Sequence, residues 1–316
     1  MKKLMVILLA AVLAVTPAFA GEAEYVSFRG RKFPADAEYI DLGTIPVKTG
    51  DMNEYIAFLK KMPNLKKVDM FQQPIGRTRR ETLQETFPEI EFGMTMIIGG
   101  EHYLRTDATA FSTLHGLPGQ IWHTSDDFSA LKYCRNLYAL DLGHNYIDDL
   151  SFLYDLPKLR VLILAKNLLT DITPIGSLKD LEYLEIFGND VSDISILATL
   201  PHLADLNITG NRVADLNPLR EIRSLQRAWV CRSDKYYLHV NEDAEAVSLL
   251  RQTFPEAEID DFSEGTDGTW RKHPHYFTIQ RVFETGVYEP FDDLSFDEYA
   301  YPFPPGAEST GTKRAG

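Results

Sequence analysis

Eight histidines, two cysteines and two columns of evenly spaced Asn and Asp are the residues of this 316-residue chain whose types could do chemistry. The histidines are His102, His115, His123, His144, His202, His239, His273 and His275. None has HExxH spacing and no CxxC occurs, so neither common zinc pattern is present and no metal ligands are assigned. His273-Pro274-His275 is the one close pair; with proline between them and no third ligand nearby in sequence, it reads as surface. No GxSxG elbow, P-loop or GxGxxG appears, so no nucleophile, nucleotide or other cofactor is expected. A hydrolase assembled from His115, His123 and Asp107 is the one enzymatic arrangement these residues suggest, and no motif supports it. Asn145, Asn167, Asn189 and Asn211 stand 22 residues apart, and Asp127, Asp149, Asp171, Asp193 and Asp215 keep the same interval. Structural roles fit both columns better than catalysis. An Asn amide carries donors and an acceptor for backbone groups buried where a chain turns inward, and an Asp before a turn accepts backbone N–H groups as a local cap.

The elements that hold these residues must come from a folded core. Hydrophobic residues make up 44% of the chain and aromatics 11%, which excludes collagen-like and wholly disordered classes. With 46 acidic against 32 basic residues and a formal charge of −14, the chain lacks the clustered Lys and Arg that nucleic-acid phosphates require. Met1-Lys2-Lys3, an uncharged apolar run from Leu4 to Val15 and Ala18-Phe19-Ala20 match a secretory signal peptide cleaved after Ala20. The expected product is secreted, extracellular or associated with the cell surface, and has no transmembrane anchor.

The organising feature is a 22-residue repeat, found by searching for self-similarity first. Leu137, Leu140, Leu142, Asn145, Ile147, Asp149, Leu150, Leu153 and Leu156 open it. The same nine positions recur without a gap from Leu159, Leu181 and Leu203, with a half-repeat at Asp127, Phe128, Leu131 and Cys134 and a degraded unit at Leu225, Ala228 and Val230. This LxxLxLxxNxIxDIxxL pattern resembles the leucine-rich repeat, and its short period is most similar to the internalin-like bacterial class. The resemblance implies an α/β solenoid with a concave parallel β-sheet and a convex side too short for full helices. Together with the Arg105-Thr-Asp-Ala-Thr-Ala-Phe-Ser loop and the Gly268-x-Trp-Arg-x-His-Pro segment, the repeats resemble secreted proteins of gut Firmicutes. That likeness implies a fold and export and carries no activity.

Around the regular block, 125–233, the pattern loosens. Residues 21–98 read as irregular N-terminal repeats, with helices expected over Asn53–Met62 and Arg80–Phe87 and a strand at Ile90–Phe92. Residues 99–124 read as an inserted loop, either shaped for a ligand or plugging a change in curvature. Thr86-Phe-Pro-Glu-Ile-Glu is echoed at Thr253-Phe-Pro-Glu-Ala-Glu, and a helix over Glu242–Gln252 makes 234–262 a C-terminal cap. Residues 263–316 read as a polar linker and an acidic, aromatic, Pro-rich tail without a hydrophobic period. Cys134 falls in the half-repeat and Cys231 past the last strand, about four strand spacings or ~19 Å apart. That separation is too far for a disulfide, so two free thiols are expected, Cys134 buried and Cys231 at an exposed position.

Residues flanking the LxL core should face the concave side. Tyr138, Asp141, His144, Arg160, Lys166, Tyr183, Glu185, Phe187, Asp205, Asn207, Arg227, Trp229 and Arg232 make up the candidate partner-binding face. Tyr183, Phe187 and Trp229 supply aromatic anchors, and the interleaved charges supply selectivity. The expected function is non-enzymatic recognition of a protein or peptide. The alternative is a structural or glycan-associated protein of the cell envelope, held non-covalently through the tail.

Overall fold

The computed structural model describes residues 24–43, 45, 48–113, 122–234, 237–239, 244–262 and 270–288. The signal sequence expected at 1–20 and the tail from Glu289 lie outside these residues, as does His115. Among the described residues no helix is long and apolar enough to cross a membrane.

An antiparallel hairpin of β1 (Tyr25–Phe28) and β2 (Arg31–Pro34) opens the chain. The irregular repeats follow as β3 (Tyr39–Asp41), α1 (Met52–Leu59), β4 (Lys67–Pro74), α2 (Arg77–Thr86) and β5 (Glu91–Ile98), with the three strands parallel. These units are long enough to return through a helix, as their spacing predicts. β6 (His102–Arg105) then runs antiparallel to β5 and closes this sheet.

The second sheet has seven parallel strands. They are β7 (Ala110–Ser112), β8 (Ala139–Asp141), β9 (Val161–Ile163), β10 (Tyr183–Glu185), β11 (Asp205–Asn207) and β12 (Arg227–Trp229), with a last strand added at the edge. Between β12 and that edge come β13 (Arg232–Asp234), β14 (Tyr237–His239) and the helix α3 (Ala244–Thr253). β15 (Glu258–Asp260) then pairs with β12, Ile259 beside Ala228. The two Thr-Phe-Pro-Glu segments thus lead from a helix into a strand in both copies.

Two expectations are corrected here. Residues 99–124 are not all loop, because β6 and β7 lie within them and Phe111 stands in register with Leu140 as a solenoid strand. Cys231 is buried rather than exposed, since β15 extends the sheet beyond β12; both cysteines are free thiols.

The return side of each regular repeat is a single 3₁₀ turn, as in Ser151–Asp155, Thr173–Ser177, Ser195–Thr199 and Asn217–Glu221. Each is started by the preceding Asp, whose Oδ1 accepts the N–H two residues on, at 2.8 Å from Asp171 to Thr173 and from Asp193 to Ser195. Asp127 departs from this and accepts from Thr124 N instead. The Asn column forms a buried ladder. Asn167 Nδ2 donates to Leu142 O and Leu164 O, both at 3.0 Å, while its Oδ1 accepts from Ile147 N at 3.0 Å. Each Asn therefore ties its own repeat to the one before it. Just ahead of the ladder the backbone is left-handed at His144, Lys166, Gly188 and Gly210, with φ from 53° to 70°. Glycine in the last two adopts this without the Cβ clash that the first two bear.

Candidate binding site

The concave face is not open. Residues 270–288, read from sequence as linker and tail, fold back over it as a 3₁₀ turn at Trp270–Lys272 and a helix, α4 (Pro274–Thr285). Local signals explain the helix. His273 caps it, with Nδ1 accepting from His275 N; Pro274 takes a first-turn position where no N–H is needed; and Gly286 ends it at φ 69°. Tyr276, Ile279 and Val282, spaced by three, face the sheet and pack with Ala139, Val161, Ile163 and Ala165 in a second apolar cluster outside the solenoid core.

Trp270 is the centre of the contact and is fully buried. Its ring lies 5.5 Å from those of both Tyr183 and Trp229, and the Arg227 guanidinium sits 3.9 Å from its centroid. Trp270 Nε1 donates to Glu185 Oε2 at 3.0 Å, Tyr183 Oη donates to the same oxygen at 2.9 Å, and Arg271 pairs with the other carboxylate oxygen. Asp205 Oδ2 accepts from Arg227 Nη2 at 2.9 Å and pairs with His275 Nδ1 at 2.8 Å. At the far end Tyr288 Oη donates to Glu182 Oε2 at 2.6 Å, and its ring lies beneath Arg160, which also bonds Glu182. Thr109 closes the contact by donating to Gly286 O.

The expected face is thus brought together and covered at once. Asp141, Tyr183, Glu185, Phe187, Asp205, Asn207, Arg227 and Trp229 are all buried, so they do not form the exposed surface that column reading predicts. Tyr138, Arg160 and His144 are half-buried and Lys166 is exposed at the rim, while the Arg232 side chain lies outside what is described. Of the six buried side-chain atoms without a hydrogen-bond partner among the described residues, five belong to this contact region: Asp205 Oδ1, Thr209 Oγ1, Arg227 Nε, Trp229 Nε1 and Arg271 Nε.

The leucine rich repeat family model matches residues 135–191, which lie within this stack of strands, 3₁₀ turns and Asn ladder. The chain is a leucine-rich-repeat solenoid. Among solved structures it is similar to an internalin C2 of Listeria monocytogenes, at 21% identity over 63% of this chain and 84% of that one, TM-score 0.32. An internalin of the same organism, inlF, matches at 15% identity over 74% of this chain and 91% of its own, TM-score 0.36. A leucine-rich-repeat protein of Leptospira interrogans matches at 18% identity, over 71% of this chain and 54% of its own, TM-score 0.35. A search of the curated proteins found no match.

In this leucine-rich-repeat solenoid the His273, His275 pair is not at the surface but half-buried against the sheet. With Asp205 the two histidines bring three ligand atoms within 4.8 Å of one another. Arg227 already supplies a cation to the same carboxylate, so the cluster is an ion-paired network rather than a metal cradle. Burial raises the Asp205 carboxyl, yet His275 and Arg227 more than offset this and hold it below the usual carboxylate value. Burial, then the neighbouring Arg227 and His275, lowers His273 to about 4, in keeping with its neutral, accepting role as a cap. The hydrolase arrangement gains nothing: Asp107 is held by Arg105 and Lys67, and His123 turns to Glu101 and His102.

Asp141 is the exception among the buried acids. Burial first, and then the nearby Glu185, push its carboxyl up to about 6, against bonds from Gly143 N and Ser112 Oγ that favour the charged form. Because the folded value exceeds the unfolded one, this site favours folding most below about pH 4 and loses that advantage as pH rises to about 6. We expect Asp141→Asn, which keeps the acceptor for Gly143 N, to stabilise the protein by roughly 3 kcal/mol at pH 7.5, from a shift of about two pK units at about 1.4 kcal/mol each. The gain should vanish by pH 4. Denaturant melts at both pH values check this, and equal effects at the two would refute the assignment.

Proposed function

We propose that the protein is an exported, non-enzymatic recognition protein that binds a protein or peptide segment on the concave side of its sheet. In the free chain, residues 270–288 occupy that site. The observation that carries this reading is the way Trp270 and Arg271 are held, with an aromatic ring between Tyr183 and Trp229 and two donors on the buried Glu185. An aromatic-cationic pair leading a helix is therefore the chemistry the groove accepts. The five polar atoms without a partner among the described residues make this grip weaker than a fully satisfied one, because each buried orphan costs about 1–3 kcal/mol. A ligand that partners them has room to displace the segment. Export rests on the Met1 to Ala20 pattern, and N-terminal sequencing of the secreted chain tests it.

The groove is tested with a chain ending at Asp261 and a synthetic peptide of residues 268–288. We expect saturable one-to-one binding, read from the emission of Trp229, and none to the intact chain, whose groove is filled. A truncated chain that keeps its far-ultraviolet dichroism yet ignores the peptide would refute the reading.

A further inference from the structure

We propose that Glu101, His102 and His123 form a binding site for a divalent transition metal of the zinc type. The site lies where the two sheets meet and is separate from the concave groove. β5 ends in Gly99-Gly100, both at positive φ, and this turn delivers Glu101 and then His102 at the start of β6. His123 arrives from the other end of the 99–124 segment, fixed by its N–H on the Asn145 side chain at 2.9 Å. Gly99 leaves the space this needs, since a Cβ there would stand 2.4 Å from His123 Nδ1.

Three ligand atoms converge. His123 Nε2 lies 3.0 Å from Glu101 Oε1 and 3.2 Å from His102 Nε2, and His102 Nε2 lies 3.5 Å from Glu101 Oε1. Hydrogen bonding leaves one side of this triangle unbridged. A single proton on His123 Nε2 can serve Glu101 Oε1 and His102 Nε2 together, and the remaining His102–Glu101 contact at 3.5 Å then has none, since an ionised carboxylate carries no proton. Every arrangement leaves two lone pairs, or two N–H groups, facing each other. A cation at the centre satisfies all three atoms together. For bonds of about 2.0–2.1 Å, a tetrahedral ion sets its ligands about 3.3 Å apart, which is the size of this triangle.

The surroundings fit the same group. Two imidazoles and a carboxylate are a donor set suited to zinc, with the fourth position left for water or a further ligand. Asp127 Oδ2, which accepts from Thr124 N, lies 3.8 Å from His123 Nδ1 and adds a negative charge on the far side of the ring. Phe111 meets the His102 ring edge-on and Phe128 meets the His123 ring likewise, while Glu101 keeps one side accessible. Bound there, the ion ties the start of β6 to the entry of the first regular repeat.

The test uses the full chain, stripped with a chelator and titrated with cobalt(II), then with zinc. We expect one equivalent of cobalt to bind with the visible absorption of a low-coordinate site, and zinc to displace it. Glu101→Gln should weaken binding at least about tenfold, since even outer carboxylates of such sites are worth 10–100-fold. His102→Ala and His123→Ala should abolish the absorption. Should the buried His123→Ala fail to fold, the near-isosteric Glu101→Gln still reads the site, and His273→Ala, in the groove, should leave it unchanged. Absence of saturable binding in the parent chain, or parental affinity in both Glu101→Gln and His102→Ala, would overturn the proposal.

Discussion

Trp270→Ala is expected to detach residues 270–288 from the sheet while leaving the repeats folded. Removing a fully buried tryptophan costs about 3–5 kcal/mol. Here the deletion also strips one donor from Glu185, which has no exposure to recover it from water. That energy falls on docking and not on the solenoid, because the segment supplies no strand to the seven-stranded sheet and lies outside its core cluster. A loss of this size moves the docked-to-undocked ratio by about a hundredfold to a few thousandfold. Amide exchange of α4 should accelerate accordingly, with β9, β10 and β11 keeping their protection. Trp229, freed from its neighbour, should shift its emission to the red and admit quencher; Trp122, already 46% exposed, should not change. Unchanged protection across Pro274–Thr285 would show that the helix is held by its apolar face alone, and the role given to Trp270 would fall.

The solenoid was legible because a 22-residue period places nine side chains in the same environment four times. One misread residue cannot hide such a pattern, and the Leu, Asn and Asp columns stand where their spacing put them. Strands without the pattern were harder to read. β7 offers only Phe111 as an inward apolar residue, so its membership of the sheet comes from register with β8 and not from its own sequence. The groove was half legible. Alternation along LxL identified the right side chains, but periodicity says nothing of what lies on top of them, and Tyr183, Glu185 and Trp229 are buried by a segment more than forty residues past β12. That segment carried signals of its own, in Pro274, Gly286 and the three-residue spacing of Tyr276, Ile279 and Val282. They are weak beside the composition of the tail they precede. The convergence of His102 and His123 had no sequence signature, since a glycine turn and a bond from Asn145 create it.

The ladder sets the largest cost within the solenoid, and its members are not equivalent. Asn189→Ala should destabilise the protein most. Asn189 Oδ1 accepts from two backbone groups of the preceding repeat, Asn167 N at 3.2 Å and Leu169 N at 3.0 Å, and Nδ2 donates to Leu164 O and Ile186 O. Alanine removes these four bonds and a longer one from Nδ2 to Phe187 O, but it does not orphan every partner. Leu164 O still receives Asn167 Nδ2, and Ile186 O still receives Asn211 Nδ2, because neighbouring rungs share carbonyls. The two N–H groups have no such second partner in the ladder. At about 1–3 kcal/mol for each buried donor left unpaired, the variant should lose about 3–5 kcal/mol. Asn211→Ala leaves one such donor, Val191 N, and should cost about half as much. Asn189→Asp should do no better than alanine, since it keeps the acceptor but gives up both donors and buries a charge. Denaturant midpoints of the three variants give the order directly. Equal costs for Asn189→Ala and Asn211→Ala would mean that packing around the amide, and not the count of orphaned donors, fixes the asparagine at this position.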